Sequence, residues 1–298
     1  MASSAWEVRA VKALKRYRAG RPKIGDRDRS TDGRGRVALV TGASSGIGRT
    51  MSELLAAKGY DMVVVARREQ RLKESQAELE SRFGVRIHPV TGDLAAPDGM
   101  ATLLAELERR ELRVDFLVNN AGYDLLGNFL EHPWAEHQKA TQLMANGVAE
   151  LCHGLLPHMV EQGWGRIINV TSIGGFFPGG PTMAMYTASK TFVHKFTEAI
   201  DAEYRDAGVH ATVSAPGATE TELFEVSGVV DFWETNLLPQ ISMLRPETVA
   251  RQAYAAVMSG RKVIVHGFPN KVWAVALVHS PKRIRYRLVD FLAAMPDH

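Results

Sequence analysis

The 298-residue sequence carries a net charge of +3, with 45% hydrophobic and 23% charged residues, the balance of a globular chain able to bury a sizeable core. No apolar run approaches the ~18 residues that cross a membrane, and the N-terminus lacks the apolar stretch of a secretory signal. The single cysteine, Cys152, rules out an internal disulfide and fits a reducing, cytoplasmic setting.

The charge is unevenly spread. Residues 1–36 hold eleven Lys/Arg against four Asp/Glu, a net +7 that leaves −4 for the remainder. A mildly acidic body argues against nucleic-acid binding. Trp6, Ala10, Ala13, Leu14 and Tyr17 line one side of a short basic helix. It reads either as a solvated arm or as a segment for a membrane surface or a partner, or as a targeting peptide. Ala19–Arg34 has linker composition, so residues 1–35 are expected to be an extension.

The stretch Arg36–Arg49, RVALVTGASSGIGR, sets the fold class. Val37–Val40 is the short apolar run of a strand buried on both faces. Gly42, Gly46 and Gly48 follow, and a helix opens near Ile47. Strand, glycine-rich turn and helix make a phosphate site: the backbone approaches closely, and N–H groups at the helix start attract the anion. Further strands are expected at Asp61–Ala66, Arg86–Thr91, Val114–Val118, Arg166–Val170, Val209–Ala215 and Lys262–His266. Helices are expected at Glu69–Phe83, Pro97–Arg110, Glu136–Val160, Tyr186–Asp206 and Pro246–Ser259. The alternation means an α/β fold, a doubly wound, Rossmann-type parallel sheet covered on both faces.

Residues 267–298 follow as an appendage. Val272–Val278 is apolar, Pro281 breaks it, Lys282, Arg283, Arg285 and Arg287 add charge, and Leu288, Phe291, Leu292 and Met295 recur at helical spacing. Two readings stand: a peripheral-membrane or oligomer contact, or a helix packed on its own subunit.

Two clusters carry chemistry. Where an acidic residue would hold the ribose 2′-hydroxyl of NAD, the chain reads Ala66-Arg67-Arg68. Arginine pairs with a 2′-phosphate, so NADP(H) is expected in preference to NAD(H), with Arg67 the contact. Tyr186 and Lys190, four apart on a helix, share a face. A phenol with pKa near ~10 serves acid catalysis at neutral pH only when a cation stabilises its phenolate. Ser172, just past the fifth strand, is placed to donate to a substrate carbonyl.

Together Thr41–Gly48, Asp93-Leu94, Asn119–Gly122, Asn146, Ser172, Tyr186/Lys190 and Pro216-Gly217…Thr221 resemble the classical short-chain dehydrogenase/reductase family over about residues 36–266. The resemblance implies a seven-stranded sheet of order 3-2-1-4-5-6-7, with the active site over the C-terminal strand ends. It implies Tyr186 as general acid in reduction and base in oxidation, with Lys190 lowering its pKa and binding the nicotinamide ribose. Ser172 would orient the carbonyl, and Asn146 would hold a water of the proton relay. The cofactor would lie along Gly42, Ser44, Ser45, Gly46, Ile47 and Gly48, with Arg67 beside it and Asp93 and Leu94 at its adenine. Asn119, Ala121 and Gly122 would flank it, as would Tyr186, Lys190, Pro216, Gly217, Thr219 and Thr221, the last on the carboxamide. A homodimer or homotetramer is implied as well.

Two departures stand out. The Ser172-to-Tyr186 spacing is one residue longer than the family's commonest, so the loop through Gly174–Gly180 carries an insertion, and Thr219 replaces the usual Val or Ile. The 222–245 stretch, in the family a substrate lid, is rich in apolar residues such as Leu223, Phe224, Phe232 and Trp233. With Phe176, Phe177 and Met183 it points to a bulky hydrophobic ketone, aldehyde or alcohol. Peripheral membrane contact is assigned to 1–20 or 272–295. Two rival readings fit parts of the sequence: a non-catalytic NADP(H)-binding protein, and a serine hydrolase with Gly42-Ala43-Ser44-Ser45-Gly46 as its nucleophile elbow. The hydrolase leaves Gly48, Asn119–Gly122 and Tyr186/Lys190 without purpose. The histidines show no metal-ligand spacing, so no metal is expected.

Overall fold

The computed structural model describes residues 23–123, 125, 127–222 and 241–293, so the expectations for 1–22 and for most of the 222–245 stretch lie outside the described residues. Seven apolar runs become strands: β1 (Val37–Thr41), β2 (Asp61–Ala66), β3 (Ile87–Thr91), β4 (Phe116–Asn119), β5 (Gly165–Val170), β6 (Val209–Ala215) and β7 (Val263–Val265). They form one parallel sheet in the order β3-β2-β1-β4-β5-β6-β7, as the resemblance implies. Val40 of β1 lies level with Val64 on one side and Val118 on the other. The strand order reverses between β1 and β4, which opens a crevice at their C-terminal ends.

Helices cover both faces: α1 (Gly46–Ala57), α2 (Glu69–Phe83), α3 (Gly99–Arg109), α4 (Trp134–Thr141), α5 (Gly147–Glu161), α6 (Ala184–Tyr204) and α7 (Pro246–Met258), followed by α8 (Phe268–His279) and α9 (Lys282–Ala293). Alternate strand residues feed two cores. Val40, Val64 and Phe116 pack with Met51 and Leu55 of α1 and Val257 of α7. Leu39, Val63 and Leu117 pack with Leu103 of α3 and Leu151 of α5. Full burial of each such side chain contributes about 1.5–3 kcal/mol. Cys152 belongs to the second core, and burial pushes its thiol up to about 12.

Several sequence expectations are corrected. The helix expected over Glu136–Val160 is α4 and α5 joined by a wide turn, Gln142–Asn146. There the backbone bonds span five residues, a bulge often found at functional positions. β4 starts at Phe116, later than expected, and just before it the Asp115 carboxylate accepts the Val37 N–H at 2.8 Å. The Ala19–Arg34 linker is also corrected for its described part. Ile24 is buried, the Asp28 carboxylate holds the Arg251 guanidinium of α7 at 2.8 Å and 3.0 Å, and the Tyr254 hydroxyl donates to Asp32 at 3.1 Å. The charges that read as linker composition are partners for α7.

The apolar Val272–Val278 run lies inside α8. Asn270 anchors that helix by donating to the carbonyls of Ser242 at 2.9 Å and His266 at 3.0 Å. Its outer side leaves Phe268 78%, Val272 52% and Val275 59% exposed. Among the described residues no helix is long and apolar enough to cross a membrane.

Candidate active site

The site begins where β1 runs out. Gly42 turns the chain at φ +66°, and a Cβ there would lie 2.8 Å from Asn120 Nδ2 and 2.9 Å from the Ala121 Cα. At Gly48 a Cβ would meet the Gly42 carbonyl oxygen at 2.3 Å. Side chains are thus excluded where the turn enters α1, and the first N–H groups of that helix have no acceptor within it. A concave, bare backbone with outward N–H groups fits the pyrophosphate of a dinucleotide. Ile47 stands half-buried in the first turn of α1.

The turn is fastened to β4 from below. Thr41 Oγ1 accepts the N–H groups of Asn120 and Ala121, both at 3.0 Å, and Asn120 Nδ2 donates to the carbonyls of Thr41 at 3.1 Å and Gly42 at 3.3 Å. Asn120 is a positioning residue that sequence reasoning missed; its signal was the second asparagine of the Asn119–Gly122 segment. Asn119 anchors the end of the strand through its side chain. It is the last residue of β4, and strand alternation turns its amide inward, where it donates to Asn169 Oδ1 at 2.8 Å. Asn169 in turn donates to Thr197 Oγ1 of α6 at 2.8 Å. Asn119 therefore ties two strands and a helix together.

The two arginines take different places. Arg68, not Arg67, reaches the glycine turn: its Nε and Nη2 donate to Ser44 Oγ at 3.2 Å and 2.9 Å, and Nη2 to Ser45 Oγ at 2.8 Å. Ser44, which a hydrolase would need beside a histidine, is instead an acceptor for arginine. Arg67 is exposed and shares its surroundings with Tyr123, whose phenol is raised by burial and by Asp93 and lowered by Arg67. Asp93 Oδ1 accepts the Ala95 N–H at 3.1 Å, and Leu94 is buried beneath.

The second cluster gathers farther along the strand ends. Ser172 is extended just after β5, and its Oγ accepts the Gly174 N–H at 3.1 Å. A Cβ on Gly174 would lie 3.4 Å from that Oγ and 3.7 Å from Cε1 of Tyr186, so hydroxyl and phenol ring converge on one small space. Tyr186 stands in the first turn of α6, and one turn on, the Lys190 ammonium lies 5.6 Å from its ring centroid. Lys190 is only 8% exposed, and burial of an ammonium is tolerable when it is bonded. Its Nζ donates to the Val170 carbonyl at 3.1 Å and would lie 3.7 Å from a Cβ on Gly122.

The loop between serine and tyrosine folds onto α6. Phe176 meets the buried His194 edge-on at 4.6 Å, so this phenylalanine packs against the helix. Thr182 sits at φ +64°, an outlier for a β-branched residue, within the loop whose extra residue the sequence revealed. Asn146 is exposed at the end of the wide turn and donates to Gln142 Oε1 at 3.3 Å.

Beyond β6, the Pro216 carbonyl accepts the Ile173 N–H at 2.9 Å, and Gly217 packs on Asn270 of α8. Thr219 Oγ1 donates to the Gly217 carbonyl at 3.0 Å, and Thr219 bridges to Leu244. Thr221 stands over the start of α1, since a Cβ on Gly46 would meet its Cγ2 at 3.0 Å. The two expected clusters thus lie along one crevice, with Gly122 next to Lys190 on the way between them. Among the described residues no group of His, Cys, Asp and Glu is arranged to hold a metal.

Comparison with known proteins agrees with this geometry. The family model for short chain dehydrogenases matches residues 36–228. A short-chain dehydrogenase of Pseudocercospora fijiensis is 34% identical over 195 residues, which are 63% of this chain and 61% of that protein, less than two thirds of its length. Sulfoacetaldehyde reductase 2 of Chromohalobacter salexigens is 35% identical over 188 residues, 62% of this chain and 73% of that one. The solved short-chain dehydrogenase from Sphingobium yanoikuyae in complex with NADPH superposes with a TM-score of 0.69 at 29% identity, covering 77% of this chain and 87% of that one. With well over half of its residues matched by that model, the chain belongs to the short-chain dehydrogenase/reductase family of oxidoreductases.

Proposed function

We propose that the chain interconverts a hydrophobic ketone or aldehyde with its alcohol, using NADP(H) in preference to NAD(H). The observation that carries this reading is the convergence of the Ser172 hydroxyl and the Tyr186 ring on Gly174, with the Lys190 ammonium beside that ring. A bound reduced nicotinamide supplies the hydride that joins the carbonyl carbon. The chain supplies the proton. Tyr186 gives its hydroxyl proton to the carbonyl oxygen as charge grows there, while Ser172 donates a hydrogen bond to the same oxygen. Lys190 steadies the phenolate left behind. Asn146, exposed on the wide turn, belongs to the path by which the phenol regains a proton from water. In oxidation the same groups run in reverse.

The preference for NADP(H) is supported by the guanidinium that Arg68 lays on Ser44 and Ser45, with the exposed Arg67 next to it in the chain. Arginine there favours a 2′-phosphate, and an acidic residue would oppose it. The substrate class rests on this chain's own apolar residues, Phe177 and Met183 next to the cluster and those of the 222–245 stretch in sequence. The named substrate of the sulfoacetaldehyde reductase relative gives it no support. The test follows the near-ultraviolet absorbance of reduced nicotinamide against bulky apolar and small polar carbonyls. Consumption with the bulky apolar members is expected. Cofactor binding without turnover of any member would favour the non-catalytic alternative.

A homodimer or homotetramer belongs to the same proposal, as does peripheral contact with a lipid surface. The exposed Phe268, Val272 and Val275 of α8, followed by Lys282 and Arg283 of α9, support the lipid contact. Co-sedimentation with anionic vesicles, lost on Val272→Asp, is the expected outcome.

A further inference from the structure

Glu222 follows Thr221, whose side chain stands over the entry to α1. Its carboxylate reaches the opposite wall of the crevice. Oε2 accepts from Arg68 Nη1 at 2.7 Å, and Oε1 accepts from Arg71 Nη1. Arg68 is therefore shared, with one edge on the hydroxyls of Ser44 and Ser45 and the remaining nitrogen on Glu222. Guanidinium groups hold carboxylates and phosphates through the same directed N–H donors. The two anions thus call on the same nitrogens, and like charges at one site exclude each other.

We infer that Glu222 is a specificity-determining residue, an internal stand-in for the 2′-phosphate that competes with NADP(H) for Arg68 and Arg71. The inference rests on the NADP(H) reading above. It goes beyond that reading by giving the arginines an anionic partner supplied by the chain itself, from the far side of the groove. NADP(H) must displace that partner before it can use the arginines, whereas NAD(H), with no 2′-phosphate, leaves the ion pairs in place. Glu222 therefore moderates the preference that the arginines create.

The side chains of Arg68, Arg71 and Glu222 are each 43% exposed, so the competition is modest and is screened by salt. The experiment titrates cofactor fluorescence with the wild-type chain and with Glu222→Gln, for NADPH and NADH, at low and high salt. Glu222→Gln is expected to tighten NADPH by about three- to tenfold and to leave NADH within about twofold. The gain should shrink as salt rises. An unchanged NADPH-to-NADH ratio, or weaker NADPH binding in the variant, would overturn the inference, the latter by making Glu222 a support for Arg68. If neither form binds NADPH, the cofactor reading itself falls and the inference falls with it. If both bind it with the same ratio, only the inference falls.

Discussion

The two ends of the crevice are built in different ways. The glycine-turn end is shaped by exclusion: at Gly42 and Gly48 there is no room for a Cβ, and backbone and amide bonds from Asn120 fix the turn. The Ser172–Tyr186–Lys190 end is shaped by single side-chain atoms on a loop and the first turns of a helix, with Ser172 Oγ accepting the Gly174 N–H and Lys190 Nζ donating to the Val170 carbonyl. A bound phosphate needs a surface, whereas proton transfer needs one atom at one distance. Substitutions should therefore damage binding at the first end and rate at the second.

The largest effect on binding is expected at Gly48. A Cβ there would lie 2.3 Å from the Gly42 carbonyl oxygen and 2.4 Å from Asn120 Nδ2, so Gly48→Ala must push the turn off β4. Overpacking of this kind costs about 1–3 kcal/mol, enough to weaken dinucleotide binding on the order of a hundredfold when the strain falls on the cradle. Calorimetric titration with NADPH measures it. Ser172→Ala, by contrast, should cut turnover about a hundredfold while leaving NADPH affinity near wild type. A serine variant that loses cofactor affinity as severely as the glycine variant would erase the contrast between the two ends.

The stability of the fold beneath both ends depends on pH. His266 lies behind the catalytic end, its Nε2 at 2.8 Å from Ser214 Oγ, and burial lowers its pKa from 6.5 to about 4. The folded chain keeps this ring neutral while the unfolded chain protonates it. Stability from this site is therefore intact above about pH 6.5 and is lost as pH falls toward 4, by up to about 3 kcal/mol. His88, His194 and His210 are lowered by burial too and add in the same direction. Denaturant melts across that range should show the loss, and His266→Gln should flatten it.

Much of this architecture was legible in the sequence because periodic apolar runs and glycine spacing are local. The pairing of Tyr186 with Lys190 follows from helical spacing, and the strand order from the resemblance. What escaped depends on contacts distant in sequence. Asp28 reads as linker until Arg251 is brought to it by α7. Arg68 is brought to Ser44 and Ser45 by the fold, and no local pattern marks that contact. The inward turn of Asn119 and the outward turn of Asn120 depend in the same way on where β4 stops. The wide turn at Gln142–Asn146 leaves no mark in composition.

The central claim is that the Tyr186 phenol passes the proton. Turnover and NADPH affinity measured side by side for Tyr186→Phe test it most directly. The account predicts turnover lower by about 10²- to 10⁴-fold with affinity essentially unchanged. A phenylalanine variant that still turns over near the wild-type rate would contradict it.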